Sequence, residues 1–310
     1  MPAWRRDIHG MYDALSVLID RLDNEWLDKF VFLGDYIDYG PSSKEVIDLI
    51  MGLGDKAICL MGNHEHLLLQ SLYDKSHRDR YGYRVWESNG AEMTLRSFGC
   101  ETFEEFEQKL EQKYVDFFMN LKCFHTETIT YEGQELKFLI THAGVMPNVP
   151  LSEQLAVNSY QEFNQFVKDK KVWIEDAFIW IRGDFLNADP SHWAPYIVIH
   201  GHSPTHLLHH YLKEKPEELT WQIYLREHPD NARFDKCFVS INIDTGAAFG
   251  HRLTALGLSE GKTYPYDYPF LSVLVKQVDI EGGYYRRDPI RDESFNIEFY
   301  CSRLHKCGST

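Results

Sequence analysis

The chain has 310 residues and carries a formal net charge of −15 at pH 7. This acidity argues against nucleic acid or an anionic membrane as a partner, because both attract basic surfaces. Six cysteines without a C-x-x-C pair indicate reduced thiols rather than a structural zinc site. Neither a signal peptide nor a membrane-spanning run is readable, so the sequence predicts a globular cytoplasmic protein.

The first chemical motif, Asp7-Ile8-His9-Gly10, lies almost at the N-terminus. An Asp and a His two residues apart project to the same side of an extended segment and can share one metal ion. Arg5 and Arg6 precede the motif, so we expect only a short or irregular strand there. Apolar residues at helical spacing then predict a helix from Met11 to Leu22.

Two carboxylates, Asp35 and Asp38, follow the apolar run Phe30-Val31-Phe32-Leu33 and lie within the stretch Gly34 to Gly40. The pattern is typical of a buried strand that ends in a tight turn. Burying a carboxylate is costly unless it is paired or bound to a metal. Packing alone therefore does not explain these two residues.

Four later strand-like runs also end on Asn, His or Asp. Ligand sites in α/β sheets lie at the carboxyl ends of strands, so the recurrence predicts one shared metal site. The runs are Ala57 to Met61 before an expected loop with Asn63 and His64, Leu136 to Thr141 before His142, Tyr196 to Ile199 before His200 and His202, and Phe238 to Ile243 before Asp244.

The remaining segments predict a single domain over residues 1–310. Ser42 and Glu45 have the spacing of a capping box at a helix start. Residues 66–122 have helical apolar spacing and predict a helical insertion over the site, with Trp86 to Leu95 as a linker that lines the pocket. Residues 152–185 also have helical apolar spacing. The charged stretch 205–236 predicts a surface insertion, and residues 284–310 are predicted to form a peripheral tail.

Five motifs, in their order along the chain, resemble those of the calcineurin-like metallophosphoesterases. The resemblance is more specifically to the serine/threonine protein phosphatase branch, with its bacterial members and the symmetrical dinucleoside tetraphosphate hydrolases. The resemblance implies an α/β fold, a metallophosphatase-type β-sandwich flanked by helices, with the helical insertion over the active site. The motifs are Asp7-Ile8-His9-Gly10, Gly34 to Gly40, Gly62-Asn63-His64-Glu65, His142-Ala143-Gly144 and Gly201-His202, and Trp180-Ile181-Arg182 and Ile243-Asp244-Thr245-Gly246 are similar to two further family segments.

The resemblance also implies a dinuclear centre in which a metal-bound hydroxide attacks phosphorus. His64 would protonate the leaving oxygen, Asp38 would hold its ring and raise its pKa, and Arg182 would bind the phosphoryl oxygens. Oxygen and imidazole ligands suit divalent transition metals, with Mn favoured and Fe or Zn as alternatives. The implied ligands are Asp7, His9 and Asp35 for one ion, and Asp35, Asn63, His142 and His202 for the other, with Asp35 bridging.

Two departures from the family pattern bear on function. Arg6 stands where the family usually has Gly, and Tyr39 stands where it usually has Arg, which predicts an altered phosphate clamp. The leading hypothesis is a metal-dependent serine/threonine-type phosphoprotein phosphatase, acting on a phosphorylated protein. The alternatives are a dinucleoside polyphosphate hydrolase, acting on a small phosphoester or nucleotide, and a degenerate non-catalytic binding protein of the same fold.

The other histidines are expected outside the ligand set. His66 and His200 are predicted to be packed near it, and Asp244 to brace a strand end. His206, His209 and His210 are predicted to be solvated.

Overall fold

The computed structural model describes residues 2–5, 7–23, 29–73, 82–131, 134–213, 223–227, 238–263, 268–281 and 284–285. Within these ranges, no helix has both the length and the apolar character needed to cross a membrane. The strands are β1 (Pro2–Arg5), β2 (Lys29–Phe32), β3 (Ala57–Cys59), β4 (Phe124–Tyr131), β5 (Gln134–Thr141), β6 (Tyr196–His200), β7 (Tyr224–Glu227), β8 (Phe238–Asn242), β9 (Arg252–Thr263), β10 (Tyr268–Glu281) and β11 (Tyr284–Tyr285).

Helices lie in several of the segments between these strands. Short 3₁₀ turns add to them at Gly54–Lys56, Ile174–Asp176, Pro190–His192, Thr205–His210 and Ala247–Phe249. The helices are α1 (Tyr12–Asp23), α2 (Ser43–Gly52), α3 (Asn63–Tyr73), α4 (Gly82–Ser88), α5 (Ala91–Ser97), α6 (Phe103–Lys109), α7 (Gln112–Met119), α8 (Leu151–Leu155), α9 (Tyr160–Lys170) and α10 (Gly183–Leu186).

The strands form two sheets, one in the order β11-β10-β9-β1-β2-β3 and one in the order β4-β5-β6-β8-β7. Side chains alternate between the faces of a strand, so Phe30 and Phe32 of β2 pack with the helices while Val31 packs between the sheets. This pattern gives a β-sandwich flanked by helices, as the sequence predicted. The core between the sheets contains Val31, Leu33, Leu60, Leu136, Phe138, Ile140, Ile199, Ile241, Ile243 and Leu256.

Parallel pairing brings the chemical residues together. In the first sheet β1, β2 and β3 run parallel, and in the second β5, β6 and β8 do. The carboxyl ends of parallel strands lie at one edge of a sheet, and a contact of 2.8 Å between His142 Nδ1 and the carbonyl oxygen of Leu33 joins the two edges. The residues that follow these strand ends are Asp7, Asp35, Asn63, His142, His202 and Asp244.

The strand before Asp7 is short, as expected, and it is regular, because β1 is paired on both sides by β2 and β9. Two other local expectations are corrected by the structure. Asn63 and His64 form the first turn of α3 rather than a loop. The segment from Trp86 to Leu95 is no linker, since it lies mostly within α4 and α5.

The predicted capping box at the start of α2 does not form. The Ser42 side chain makes no cap hydrogen bond. Instead Ser97 of α5 accepts from the backbone N–H of Lys44 at 2.8 Å and donates to the carboxylate of Glu45 at 3.2 Å. A tertiary contact therefore replaces the local cap.

Parts of the expected domain plan lie outside the described residues. These parts are 74–81 of the helical insertion, 214–222 and 228–236 of the charged insertion, and 286–310 of the tail. The single-domain assignment stays a prediction. The start of the insertion is not purely a surface segment, because Thr205 and Leu208 are buried by their 3₁₀ turn. His206 and His209 are half-buried for the same reason, contrary to expectation, whereas His210 is exposed as predicted.

Candidate metal centre and active site

Asp35 lies at the middle of the candidate site and is buried. Its Oδ1 accepts from the backbone N–H of His64 at 3.2 Å. Its Oδ2 lies 3.6 Å from Nε2 of His9 and 3.5 Å from Nε2 of His142. One carboxylate oxygen therefore lies between imidazoles contributed by the two sheets, a position compatible with the predicted bridging role.

Glu65 fixes the loop that carries Asp35. Its carboxylate accepts from the backbone N–H groups of Asp35 at 2.8 Å, Tyr36 at 2.7 Å and Gly62 at 3.0 Å. Gly62 must be glycine at this contact, because a Cβ there would lie 2.1 Å from Oδ1 of Asp35. Glu65 belongs to the motif Gly62-Asn63-His64-Glu65, but its sequence position alone does not indicate this role.

Three histidines have the tautomer that a metal ligand needs. A backbone carbonyl only accepts hydrogen bonds, so the ring nitrogen facing it carries the proton and the other nitrogen is unprotonated in the neutral ring. Metal-binding histidines commonly use this arrangement. The contacts are His9 Nδ1 to Ile37 O at 2.9 Å, His142 Nδ1 to Leu33 O at 2.8 Å, and His202 Nε2 to Trp180 O at 2.9 Å.

Two groups of buried side chains share Asp35. One contains His9, Asp35 and His64, the other Asp35, His142 and His202, and within each group the potential ligand atoms lie within 4.8 Å of one another. Asp7 belongs to neither group, and its Oδ2 accepts from the backbone N–H of His202 at 3.2 Å. Its assignment as a ligand stays a prediction.

The surroundings of His142 fit a bound cation. Its Nδ1 faces the carbonyl oxygen of Leu33, and its Nε2 lies 2.9 Å from Oδ1 of Asn63. A neutral imidazole has one N–H and cannot donate to both oxygens. Protonating a fully buried ring is costly, whereas a cation held by Nε2 and the amide oxygen accounts for both contacts. The donor set therefore fits a divalent transition metal.

His64 differs from His9 in charge, although both belong to the same group. Its Nδ1 lies 2.6 Å from Oδ2 of Asp38. Burial lowers the pKa of His64, but the carboxylates of Asp35 and Asp38 outweigh it and raise the pKa to about 9. Burial and the neighbouring His64 charge lower the pKa of His9 to about 4. A protonated His64 cannot bind a metal, which is consistent with the predicted acid role.

Asp38 is held by residues of the helical insertion. Its carboxylate accepts from Trp86 Nε1 at 2.9 and 3.1 Å and from Thr94 Oγ1 at 2.6 Å. Trp86 lies beside the site, in agreement with the prediction that its segment lines the pocket. No spacing rule pointed to Thr94, because its partner is 56 residues away.

Tyr39 borders the site and is 43% exposed. Its ring centroid lies 5.0 Å from that of His9 and 5.3 Å from that of His64, both in edge-on geometry. Burial and the charges of Asp35 and Asp38 raise the pKa of Tyr39, with the charge of Arg182 opposing them. An aromatic face is thus available to substrate beside the candidate acid.

Arg182 lies beside the last motif. Its guanidinium donates to the carbonyl oxygen of His202 and to Ser203 Oγ, the latter at 3.3 Å, and it stands 5.3 Å from the ring of Tyr211. Within the described part of the chain, no carboxylate forms an ion pair with it. Its charge is therefore available to an anionic substrate.

Backbone strain is concentrated at the site. Non-glycine residues with positive φ are uncommon and cost about 1–3 kcal/mol each. Seven occur in the described ranges, and only Lys171 lies away from the site. The other six are Asp7 (35°), His9 (43°), Asp35 (55°), Asp38 (71°), Tyr39 (60°) and His202 (58°).

Three residues close in sequence to the motifs have structural contacts rather than positions in the two metal-binding groups. His66 is fully buried beside Phe163 and contacts Oδ1 of Asn164 at 3.1 Å, and His200 is buried against Phe185. Asp244 braces its strand end, because its Oδ1 accepts from the backbone N–H of Gly246 at 3.1 Å. The expectations for His66, His200 and Asp244 agree with these positions.

The cysteines that the structure describes, Cys59, Cys100 and Cys123, are free thiols. Burial raises the pKa of all three thiols, to about 12 for Cys59, so they are poor nucleophiles.

Comparison with known families decides the chemistry. The family model described as calcineurin-like phosphoesterase matches residues 7–241, well over half of the chain. The chain belongs to the calcineurin-like phosphoesterases. It is therefore a phosphoesterase, a hydrolase of a family that uses divalent metal ions, and the predicted family and fold class are confirmed.

Curated relatives of this phosphoesterase carry nucleotide-hydrolase names. It is 24% identical to the asymmetrical bis(5′-nucleosyl)-tetraphosphatase PrpE of Anoxybacillus flavithermus, over 88% of this chain and 97% of that protein. It is 26% identical to the enzyme of the same name from Halalkalibacterium halodurans, over 82% and 88%. A symmetrical bis(5′-nucleosyl)-tetraphosphatase of Haemophilus influenzae is 24% identical over 61% of this chain and 58% of that protein.

Proposed function

We propose that this phosphoesterase hydrolyses a dinucleoside tetraphosphate, with His64 as the general acid. The observation that carries the proposed chemistry is the contrast among the buried histidines. His64 is bonded to a carboxylate, whereas His9, His142 and His202 are bonded to backbone carbonyls. The names of the curated relatives support the substrate class.

The cations, when bound, supply Lewis-acid charge to the phosphoryl oxygens and activate the attacking water. We propose Mn as the metal, with Fe or Zn as alternatives, because the donors mix carboxylate, amide and imidazole. The residues proposed to hold the two ions are Asp7, His9, Asp35, Asn63, His142 and His202.

The chain itself has three tasks in the proposed reaction. His64 donates a proton to the leaving oxygen, and Asp38 keeps its Nδ1 protonated and its ring oriented. Arg182 binds phosphoryl oxygens through its forked donors. Tyr39 offers an exposed aromatic face beside His64, which supports a substrate that carries an aromatic base.

A substrate panel tests the proposal. Protein loaded with Mn, with its metal content measured, is given a dinucleoside tetraphosphate, a phosphoserine peptide and an aryl phosphate. We expect the highest kcat/KM on the dinucleoside tetraphosphate, and chromatography of the products shows whether cleavage is symmetrical. A higher kcat/KM on the phosphopeptide would instead support the phosphoprotein phosphatase. No turnover on any member, with both metals bound, would support a non-catalytic binding protein.

A further inference from the structure

The carboxylate of Asp38 is held in one plane by the helical insertion. Asp38, Trp86 and Thr94 are all fully buried. Trp86 Nε1 lies 2.9 Å from Oδ2 and 3.1 Å from Oδ1, and Thr94 Oγ1 donates to Oδ1 at 2.6 Å. Oδ2 is the oxygen that lies 2.6 Å from His64 Nδ1. Both carboxylate oxygens are therefore hydrogen-bonded by side chains of the helical insertion.

Thr94 holds the backbone of the same residue as well. Its Oγ1 accepts from the backbone N–H of Asp38 at 2.9 Å while it donates to the carboxylate. A hydroxyl has one donor and two acceptor positions, so it can make both bonds at once. Thr94 thus fixes Asp38 at a residue whose φ is +71°.

The two donors come from neighbouring helices that dock on one turn. Trp86 belongs to α4 and Thr94 to α5, and the connection between these helices contains Gly90. A Cβ on Gly90 would lie 2.9 Å from the backbone nitrogen of Tyr39. The α4–α5 pair therefore contacts the Asp38–Tyr39 turn at three places, Trp86, Gly90 and Thr94. The helical insertion thus packs directly against the residue that orients His64.

We propose that Trp86 and Thr94 are positioning residues for the hydrolysis. By fixing the plane of the Asp38 carboxylate, they keep Oδ2 aimed at Nδ1 of His64, so that Nε2 faces the leaving oxygen. The inference rests on the proposed acid role of His64. Trp86 also packs against Phe103 and Phe106, so a test must separate its hydrogen bond from its packing.

The variants Trp86→Phe and Thr94→Val remove the donors and keep most of the buried volume. Trp193→Phe is a matched control, because Trp193 is also fully buried and its Nε1 donates to a backbone carbonyl, that of Val239, at 3.2 Å. Thr254→Val is the control for the hydroxyl, since Thr254 is buried and bonded to Thr245.

Kinetics on two leaving groups measure the positioning effect. For an alkyl phosphate, which needs the acid, we expect kcat of each test variant to fall about 10- to 100-fold, the usual loss for a residue that orients a catalytic ligand or acid. For an aryl phosphate the loss should be far smaller, and KM and metal content should match the controls. Equal losses on both substrates, or the same loss in the control variants, would overturn the inference.

A double mutant shows whether the effect passes through His64. In the His64→Ala background, Trp86→Phe should cause no further loss of kcat on the alkyl phosphate, because the group being positioned is gone. An additive loss would show that Trp86 acts by another route. If Trp86→Phe does not fold, as judged by circular dichroism, the same cycle with Thr94→Val shows whether the effect passes through His64.

Proton NMR separates this inference from the proposed function. Protein loaded with diamagnetic Zn should show a downfield signal from the His64 Nδ1–H bonded to Asp38, and this signal should be absent in His64→Ala. The signal should shift or broaden in Trp86→Phe and Thr94→Val but not in the controls. An unchanged signal would overturn the positioning role. If the signal responds while His64→Ala keeps full activity on the alkyl phosphate, the acid role fails and the geometric role stands.

Discussion

The two groups that share Asp35 use the same residue type in different ways. In the group with His142 and His202, both rings are fixed by backbone carbonyls. In the other group His9 is fixed by a carbonyl, but His64 is fixed by the carboxylate of Asp38. The group that is hydrogen-bonded to one ring nitrogen therefore determines the charge of the histidine. A backbone carbonyl leaves the ring neutral, as a metal ligand must be, whereas a carboxylate favours the protonated ring that a general acid needs.

A second comparison along one helix makes the same point. His64 and His66 both lie in α3 and both are buried, yet the pKa of His64 is raised to about 9 and that of His66 is lowered to about 4. Carboxylates face His64, whereas the partner of His66 is the uncharged amide of Asn164. Burial alone thus lowers the pKa, and only a nearby negative charge reverses it.

The largest effect is expected when the residue common to both groups is changed. Asp35→Asn removes a charge from both at once, so metal occupancy should fall at both sites and kcat by about 10⁴-fold or more, since metal ions contribute several kcal/mol. Elemental analysis and phosphatase kinetics measure these changes. Asp55→Asn, at an exposed carboxylate on the surface, is the control. Full occupancy in the Asp35 variant would remove Asp35 as the bridge.

The contrast between His64 and the carbonyl-fixed histidines predicts the next effect. His64→Ala should keep the metals but lose about 10²–10⁴-fold in kcat on substrates with poor leaving groups, the usual scale of acid catalysis. Aryl phosphates should lose less, because their leaving groups need less protonation. His142→Ala should instead lose metal. His125→Ala, on β4, should change neither quantity. Equal losses on both leaving groups would contradict the acid role of His64.

Tyr39 tests whether the first group also binds phosphate directly. Tyr39→Arg places a forked cation beside His9 and His64, and a charge-assisted contact is worth roughly 1.5–3 kcal/mol, so KM for simple phosphates should fall about ten- to a hundredfold. Tyr39→Phe, which keeps the ring, is the matched control. If the ring serves an aromatic base, Tyr39→Arg should raise KM for the dinucleoside substrate. An unchanged KM for every phosphate would mean that this position does not face the substrate.

The smallest expected effect is on the pH dependence of stability, and it tests the comparison between His64 and His66 in α3. The folded-state pKa of His66 lies near 4, below the usual 6.5, so the unfolded chain binds a proton that the folded chain does not. Stability is therefore lost as the pH falls from about 6.5 towards 4. Between pH 7 and pH 5 His66 should account for about 2 kcal/mol of this loss.

Urea unfolding at pH 7 and pH 5 measures this contribution. His66→Gln should reduce the difference between the two pH values, because glutamine does not titrate. His210→Gln, at an exposed position, should leave the difference unchanged. An equal difference in His66→Gln and the wild-type protein would show that His66 is protonated in the folded state.

The sequence by itself determined the fold class and the candidate ligand set. Apolar runs that end on Asp, Asn or His indicate buried strands with chemistry at their ends, and both properties are local in the chain. The alternation of strands and helices follows from these runs, whereas the β-sandwich and the candidate ligand set follow from the resemblance of the motifs to a known family. The position of Asn63 in a helix was missed, because an apolar strand followed by Gly62 is typical of a loop as well as of a helix start.

Only the tertiary structure decided which partner each side chain has. Leu33, Ile37 and Trp180 offer backbone carbonyls to histidines up to 109 residues away, and a backbone carbonyl leaves no trace in the sequence. Trp86 and Thr94 reach Asp38 from helices 48 and 56 residues later for the same reason. The sequence determined which residues lie at the strand ends, because the strand pattern is local in the chain. Folding decided the charge and the orientation of these side chains, because both depend on contacts between distant segments.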